Sequence, residues 1–181
     1  PYWHEARKRA LGESEGVIQP TAMLDVLERL VDDLYDPHAN LNANDITSPR
    51  LVPSGTDLWF ESVSGAYEVA GIRPGTSAAA ADIQIGDKLL AFNDVNVEDM
   101  IFQRIHSGRG QVLQARKSWA VNAVVAGRYD EPRRLSLKRG DEIINRDLGD
   151  PIPAKETETL HSEILPSSIG YIRFNDSLGN D

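Results

Sequence analysis

The stretch Tyr35-Asp36-Pro37-His38-Ala39-Asn40-Leu41 sets a histidine just beyond a proline. An imidazole titrates near neutral pH, so His38 could take and return a proton, and Asp36 two residues earlier could orient the ring. The other reading is a helix-end histidine, placed where the helix dipole favours a cation. Residue types alone leave both open. No serine offers itself as a nucleophile to pair with this base. Ser62, Ser64, Ser77, Ser107 and Ser118 lack a G-x-S-x-G context, and Ser167-Ser168 precedes a strand rather than a nucleophile elbow. His4, His106 and His161 show no metal-ligand spacing and read as surface or core positions. There is no cysteine, which removes disulfides, thiolate metal sites and a cysteine nucleophile. Asp32, Asp33 and Asp36 fall on the polar side of a helix and read as solvated. Arg139-Gly140-Asp141 reads as a hairpin turn.

These residues sit in a chain of 181 residues, 40% hydrophobic and 26% charged, with a net charge of -9. That profile fits one or two compact domains with a sizeable core. The negative charge argues against nucleic acid, because nothing would neutralise a run of phosphates. Arg7-Lys8-Arg9 and Arg133-Arg134 are basic, but acids surround both. No apolar run approaches the ~20 residues that cross a bilayer. The chain opens at Pro1 rather than Met and reads as cut from a longer one, so a removed secretion signal stays open.

The elements that must position the chemistry can be read from periodicity. Residues 2–12 have helical spacing at Trp3, Ala6, Ala10 and Leu11. Residues 21–35 are the clearest helix, with Met23, Leu24, Leu27, Leu30, Val31 and Leu34 on one face, Thr21 as N-cap and a stop before Pro37. Residues 40–55 turn polar and read as a connecting loop. Short strands follow at 58–60, 67–69 and 88–92, with a tight turn at Asn93-Asp94. Helices are expected at 98–105 and 111–125, the second turning Val112, Trp119, Ala120, Ala123 and Val124 inward. Leu135 and Leu137 alternate in a strand that pairs across Gly140 with Ile143-Ile144. The segment 169–174, Ile-Gly-Tyr-Ile-Arg-Phe, is an apolar strand.

The densest signal is AGIRPGTSAAAADIQIGDKLLAFNDVNV, residues 70–97. Pro74-Gly75 turns the chain, Thr76 or Ser77 caps a short alanine helix, Ile83 and Ile85 plug a core, and Asp87 bonds back to turn amides behind Gly86. This order resembles a PDZ domain of the bacterial, circularly permuted type. The match lies at Pro74, Gly75, Ala78, Ala81, Gly86, Asp87, Leu90, Asn93 and Val97. Asp82 and Asp94 stand where that family prefers glycine. Together with the Asp36-Pro37-His38 motif before it and the Ile-Gly-Tyr-Ile-Arg strand after it, the chain resembles the front part of a carboxyl-terminal processing or tricorn-like serine peptidase.

The resemblance implies an α+β fold in four parts. Residues 1–41 are a helical N-terminal segment and 42–55 a linker. Residues 56–150 form a PDZ-like, partly open β-barrel with a helical insertion near 111–125. Residues 151–181 are a linker and the first strand of an absent catalytic domain. It implies a secreted or periplasmic endopeptidase that works through an acyl-enzyme and needs no metal or cofactor. The serine lies outside these residues, so the fragment alone would be inert. His38 would be the general base in the tricorn-like branch, and a structural residue in the branch that uses a downstream lysine. Peptide substrates would add as a strand to the edge at Leu58, Trp59 and Phe60, beneath amides of Gly55, Thr56 and Asp57. Met100, Ile101 and Ile105 would line the opposite wall, although the usual G-L-G-F loop is missing. Two other readings remain. One is a non-catalytic adaptor that binds partner tails. The other is a structural unit whose groove is packed by Trp59 or the 111–125 helix.

Overall fold

The computed structural model describes residues 2–36, 38–105, 114–151 and 160–174. The expectations for Pro37, His106, Ser107 and Val112 fall outside them. Six strands form one antiparallel sheet: β1 (Leu58–Val63), β2 (Ala66–Ile72), β3 (Lys88–Phe92), β4 (Val95–Asn96), β5 (Arg133–Arg139) and β6 (Glu142–Leu148). The order is β1-β2-β3-β5-β6, with β4 pairing β3. Strand alternation, with a bulge between Leu89 and Ala91 that shifts the phase of β3, sends Leu58, Phe60, Tyr67, Val69, Leu89, Phe92, Leu135 and Leu137 to one buried side. The sheet does not close on itself, so the expected partly open barrel is an open sheet with two edges, β1 and β6.

Three helices belong with the sheet. These are α3 (Ser77–Ala80), α4 (Val97–Arg104) and α5 (Gln114–Ala126). Ile101, Ile105, Val121, Val124 and Val125 complete a single core with the strand residues above. The turns behave as their sequence requires. Asn93 and Asp94 form the β3–β4 turn with φ of 49° and 65°, and Asp82 sits at φ 52°. An aspartate tolerates this left-handed region better than most residues, which explains two of the departures from glycine. The Asp87 carboxylate accepts from the Gln84 amide at 2.9 Å, as expected.

The N-terminal pair is α1 (Tyr2–Ser14) and α2 (Pro20–Asp32). Ala6 and Ala10 face inward, and Arg9 reaches the buried carboxylate of Asp33. α2 starts one residue before the expected cap. Gln19 takes the N-cap position without a side-chain bond, and Pro20 opens the helix, where its fixed φ and missing N–H do no harm. The helix also ends three residues earlier than expected, at Asp32. Its buried residue is Val26, while Leu27 and Leu34 are exposed. Ile85, expected in the core, lies in solvent, and only Ile83 is buried.

Beyond the sheet, β7 (Leu160–Leu165) and β8 (Ile169–Phe174) form a two-stranded hairpin turned by Ser167 and Ser168, both at positive φ. The strand at 169–174 was legible, whereas its partner lies in a stretch read as linker.

Candidate functional site

Two places bear on function: the loop at His38 and the groove between β1 and α4. At the loop, α2 closes its own end. Leu34 and Tyr35 donate backbone N–H groups to Val31 and Asp32 carbonyls at 3.0 Å each. His38 therefore does not cap the helix. Its Nδ1 stands 2.9 Å from Asp36 Oδ1, and its backbone N–H donates to the same oxygen at 2.9 Å. Asn40 Nδ2 holds the His38 carbonyl at 3.3 Å. A carboxylate facing Nδ1 fixes the tautomer with the proton on Nδ1 and leaves the Nε2 lone pair outward. The His38 side chain is 92% exposed, so Nε2 meets solvent. The hydrogen bond from the His38 backbone, then that from its ring, holds the Asp36 carboxyl below the usual carboxylate range.

A hollow of about 330 Å³, lined by both charged and apolar side chains, runs between α2, α4 and α5. Its cations are already engaged, Arg104 with Asp32 at 2.6 Å, Arg128 with Asp25 at 3.2 Å and Arg29 with Glu13 at 3.1 Å. Burial raises the Glu28 carboxyl on its wall, against a hydrogen bond from Ser48. A smaller hollow of about 60 Å³ shares Asp32 and Arg104 with it and reaches Asp36 and Ala39, beside His38.

The groove residues fall mostly into the core. Leu58, Phe60, Ile101 and Ile105 are buried, Met100 packs partly against the core, and Trp59 is half-exposed on the other face of β1. The loop expected to offer free amides is also occupied internally. Gly55 packs so closely on Leu51 that an added Cβ would lie 2.8 Å from its carbonyl oxygen. The Thr56 hydroxyl donates to the Leu58 carbonyl at 3.0 Å. Asp57 is buried against Arg133, and its carboxylate accepts from the Ser77 hydroxyl at 3.1 Å and the Ala78 amide at 3.2 Å. A carboxylate of the chain's own thus sits at the start of α3.

The 111–125 helix was one expected occupant of the groove, but the way it caps the sheet edge was missed in the sequence. Helix α5 lies along the outer edge of β1. Asn122 Oδ1 accepts from the Phe60 N–H at 2.8 Å, and Asn122 Nδ2 donates to the Phe60 carbonyl at 2.9 Å. One side-chain amide thus makes both bonds that a neighbouring strand would make. One helical turn earlier, the Ser118 hydroxyl accepts from the Ser62 N–H at 3.4 Å. A helical turn rises about 5.4 Å and two strand residues span about 6.6 Å, so positions four apart on α5 meet positions two apart on β1. The only available signal was a pair of polar residues, Ser118 and Asn122, four apart within an otherwise apolar helix face.

No protein-family model matches the chain, and no curated protein matches it. Solved structures do match in fold. A serine-to-alanine mutant of CPAF aligns with a TM-score of 0.54 and 15% identity, over 80% of this chain and 27% of that one. Mature CPAF aligns with a TM-score of 0.52 and 18% identity, over 80% of this chain and 28% of that one. A photosystem II C-terminal processing protease aligns at a TM-score of 0.37, too low to argue from. The chain therefore has the fold of a portion of CPAF, a serine protease, and spans about a quarter of its length. The expected likeness to a serine peptidase is met at the level of fold.

Proposed function

We propose that this chain is the non-catalytic front portion of a serine-type endopeptidase, and that it supplies the general base, His38. The observation that carries the reading is the Asp36–His38 pair. A carboxylate 2.9 Å from Nδ1 and an outward Nε2 are what an imidazole needs to take a proton from a serine hydroxyl and return it to a leaving amine. The serine and its oxyanion donors belong to a part of the polypeptide outside these residues. The fold shared with part of CPAF, a serine protease, supports the same class.

The sheet with α3 to α5 is a PDZ-like unit in this reading, and its role is to hold and gate rather than to capture tails. The edge that an incoming tail needs is hydrogen-bonded to Asn122 and Ser118. The loop that would receive a terminal carboxylate already holds Asp57. This favours the reading in which the unit packs its own groove over a tail-binding adaptor. The protein would act outside the cytoplasm on unstructured polypeptide.

The test is peptide hydrolysis by the longer polypeptide that includes this chain. His38→Ala should lower kcat/KM by roughly a thousandfold or more, the scale of losing a triad base. Asp36→Asn should lower it less and shift its pH profile. Unchanged activity in His38→Ala would remove His38 from the chemistry.

A further inference from the structure

The sheet has two edges, and they are treated differently. At β1, the backbone groups of Leu58, Phe60 and Ser62 that face away from β2 meet Thr56, Asn122 and Ser118. At β6 a single contact of this kind exists among the described residues: Arg146 Nη1 donates to the Asn145 carbonyl at 3.0 Å, which leaves that oxygen a second lone pair. The tight turn at Gly140 pairs Arg139 with Glu142, and the register then runs Leu137 to Ile144, Leu135 to Arg146 and Arg133 to Leu148. Antiparallel pairs alternate between bonded and non-bonded, so these pairs bond, and Ile143, Asn145 and Asp147 turn their N–H and C=O groups outward. The far side of β5 agrees, because Arg134, opposite Asp147, bonds Asn93 through its N–H at 2.9 Å and its carbonyl at 2.8 Å.

Edge strands are usually blunted by charges that stand in the way of another strand. Here the charges fold back onto their own domain. Arg146 reaches the Ala81 carbonyl and the Asp82 carboxylate, and Asp147 accepts from Arg134 Nε at 3.0 Å. Ile143 is left 63% exposed beside outward backbone groups that, the Asn145 carbonyl apart, have no partner among the described residues. Unpaired edge groups of this kind are a template for a further strand.

We propose that β6 is a pairing edge, and that its partner is β6 of a second copy of this chain, antiparallel about a two-fold axis through Asn145. The sequence Glu-Ile-Ile-Asn-Arg-Asp-Leu suits itself in that register. Asn145 faces Asn145, Ile143 faces Asp147, Ile144 faces Arg146 and Glu142 faces Leu148. No like charges stand directly opposite, and Glu142 lies diagonal to Arg146 of the other copy on the same face, so cross-strand electrostatics favour the pair. Other two-fold registers are worse: centring on Ile144 sets Asp141 against Asp147, and centring on Arg146 sets two arginines together. The pairing is isologous and closes as a dimer. It uses the edge of the sheet opposite β1 and is independent of the peptidase reading.

Sedimentation of the purified 181-residue chain over a concentration series tests this. The dimer fraction should rise with concentration, and Ile143→Pro should weaken the dimer by roughly tenfold or more. That proline removes an outward N–H and no ladder bond to β5, a position where an edge strand tolerates it. The second variant needs no such tolerance. The chain has no cysteine, so Asn145→Cys should give a covalent dimer on mild oxidation, because bonded cross-strand Cα atoms lie about 5.5 Å apart, within disulfide reach. Glu61→Cys, exposed on the other edge strand, should not. A chain that stays monomeric to about 0.5 mM overturns the proposal. So does a dimer that ignores Ile143→Pro and is not trapped through Asn145→Cys.

Discussion

Replacing Asn122 by alanine should be among the most damaging polar substitutions in this protein. The Asn122 amide makes three bonds, to the Phe60 N–H at 2.8 Å, the Phe60 carbonyl at 2.9 Å and the Ser118 carbonyl at 2.7 Å. The Ser118 carbonyl keeps its place in the helix ladder, so its loss matters little. The two Phe60 groups have no such substitute. Phe60 has 0% exposure and Asn122 has 1%, so water does not reach them without local opening. A buried backbone group left unpaired costs about 1–3 kcal/mol, which gives about 2–6 kcal/mol for two. Relaxation of the β1 end near the half-buried Ser62 favours the lower half of that range. In a domain of this size each kcal/mol moves Tm by about 2–4 °C, so Asn122→Ala should lower Tm by roughly 4–16 °C. Urea denaturation with an unchanged m-value measures the loss, and amide exchange at Phe60 locates it. Asn122→Asp buries a carboxylate and turns one of its oxygens towards the Phe60 and Ser118 carbonyls, so it should destabilise at least as much as alanine. A change within about 0.5 kcal/mol, or normal exchange protection at Phe60 in the alanine variant, would refute the edge-capping argument.

Asp57→Asn should destabilise by about 3–5 kcal/mol in denaturant unfolding, because it leaves Arg133 buried without its counter-ion. The double change Asp57→Asn with Arg133→Met should recover part of that loss. Burial, and then the charge of Glu98, raise the Tyr67 hydroxyl to about 12, with its O–H donating to Glu98 at 3.3 Å. A raised folded value means stability that is complete below the unfolded value near 10 and is lost as pH climbs towards 12. Phenolate absorbance should show Tyr67 titrating late. In Glu98→Gln it should titrate earlier but still above 10, since burial remains. Tail peptides with free carboxylates should not bind the native chain more tightly than their amidated forms in calorimetry. Preference for the free carboxylate would show that the groove opens.

Much of the sheet was legible because alternation is a local signal. The runs at 58–60, 67–69, 88–92 and 135–137 each carry their own period, and Asn93-Asp94 announces its turn. Boundaries were weaker where two signals compete. Pro20 and Thr21 both suggest a helix start, and the proline took the first turn while Gln19 held the cap position. β7 went unread because a strand of mixed residues, Leu-His-Ser-Glu-Ile-Leu, shows its nature only beside β8. At the candidate site, Asp36 and His38 are two residues apart, so their bond follows from proximity. Asn122 and Phe60 are 62 residues apart, and no local pattern connects them. Of the residues expected to line the groove, Leu58, Phe60, Ile101 and Ile105 share the core, while Trp59 lies on the other face of β1. What fills the groove is a tertiary fact.

The central claim is that His38 activates a serine elsewhere in the same polypeptide. The most direct measurement is covalent labelling of the longer polypeptide by a fluorophosphonate, with the modified residue located by mass spectrometry. One serine should be labelled, and the rate should fall by roughly a thousandfold in His38→Ala with the fold intact. Labelling at the same rate in His38→Ala, or no labelled serine in the native polypeptide, would contradict it.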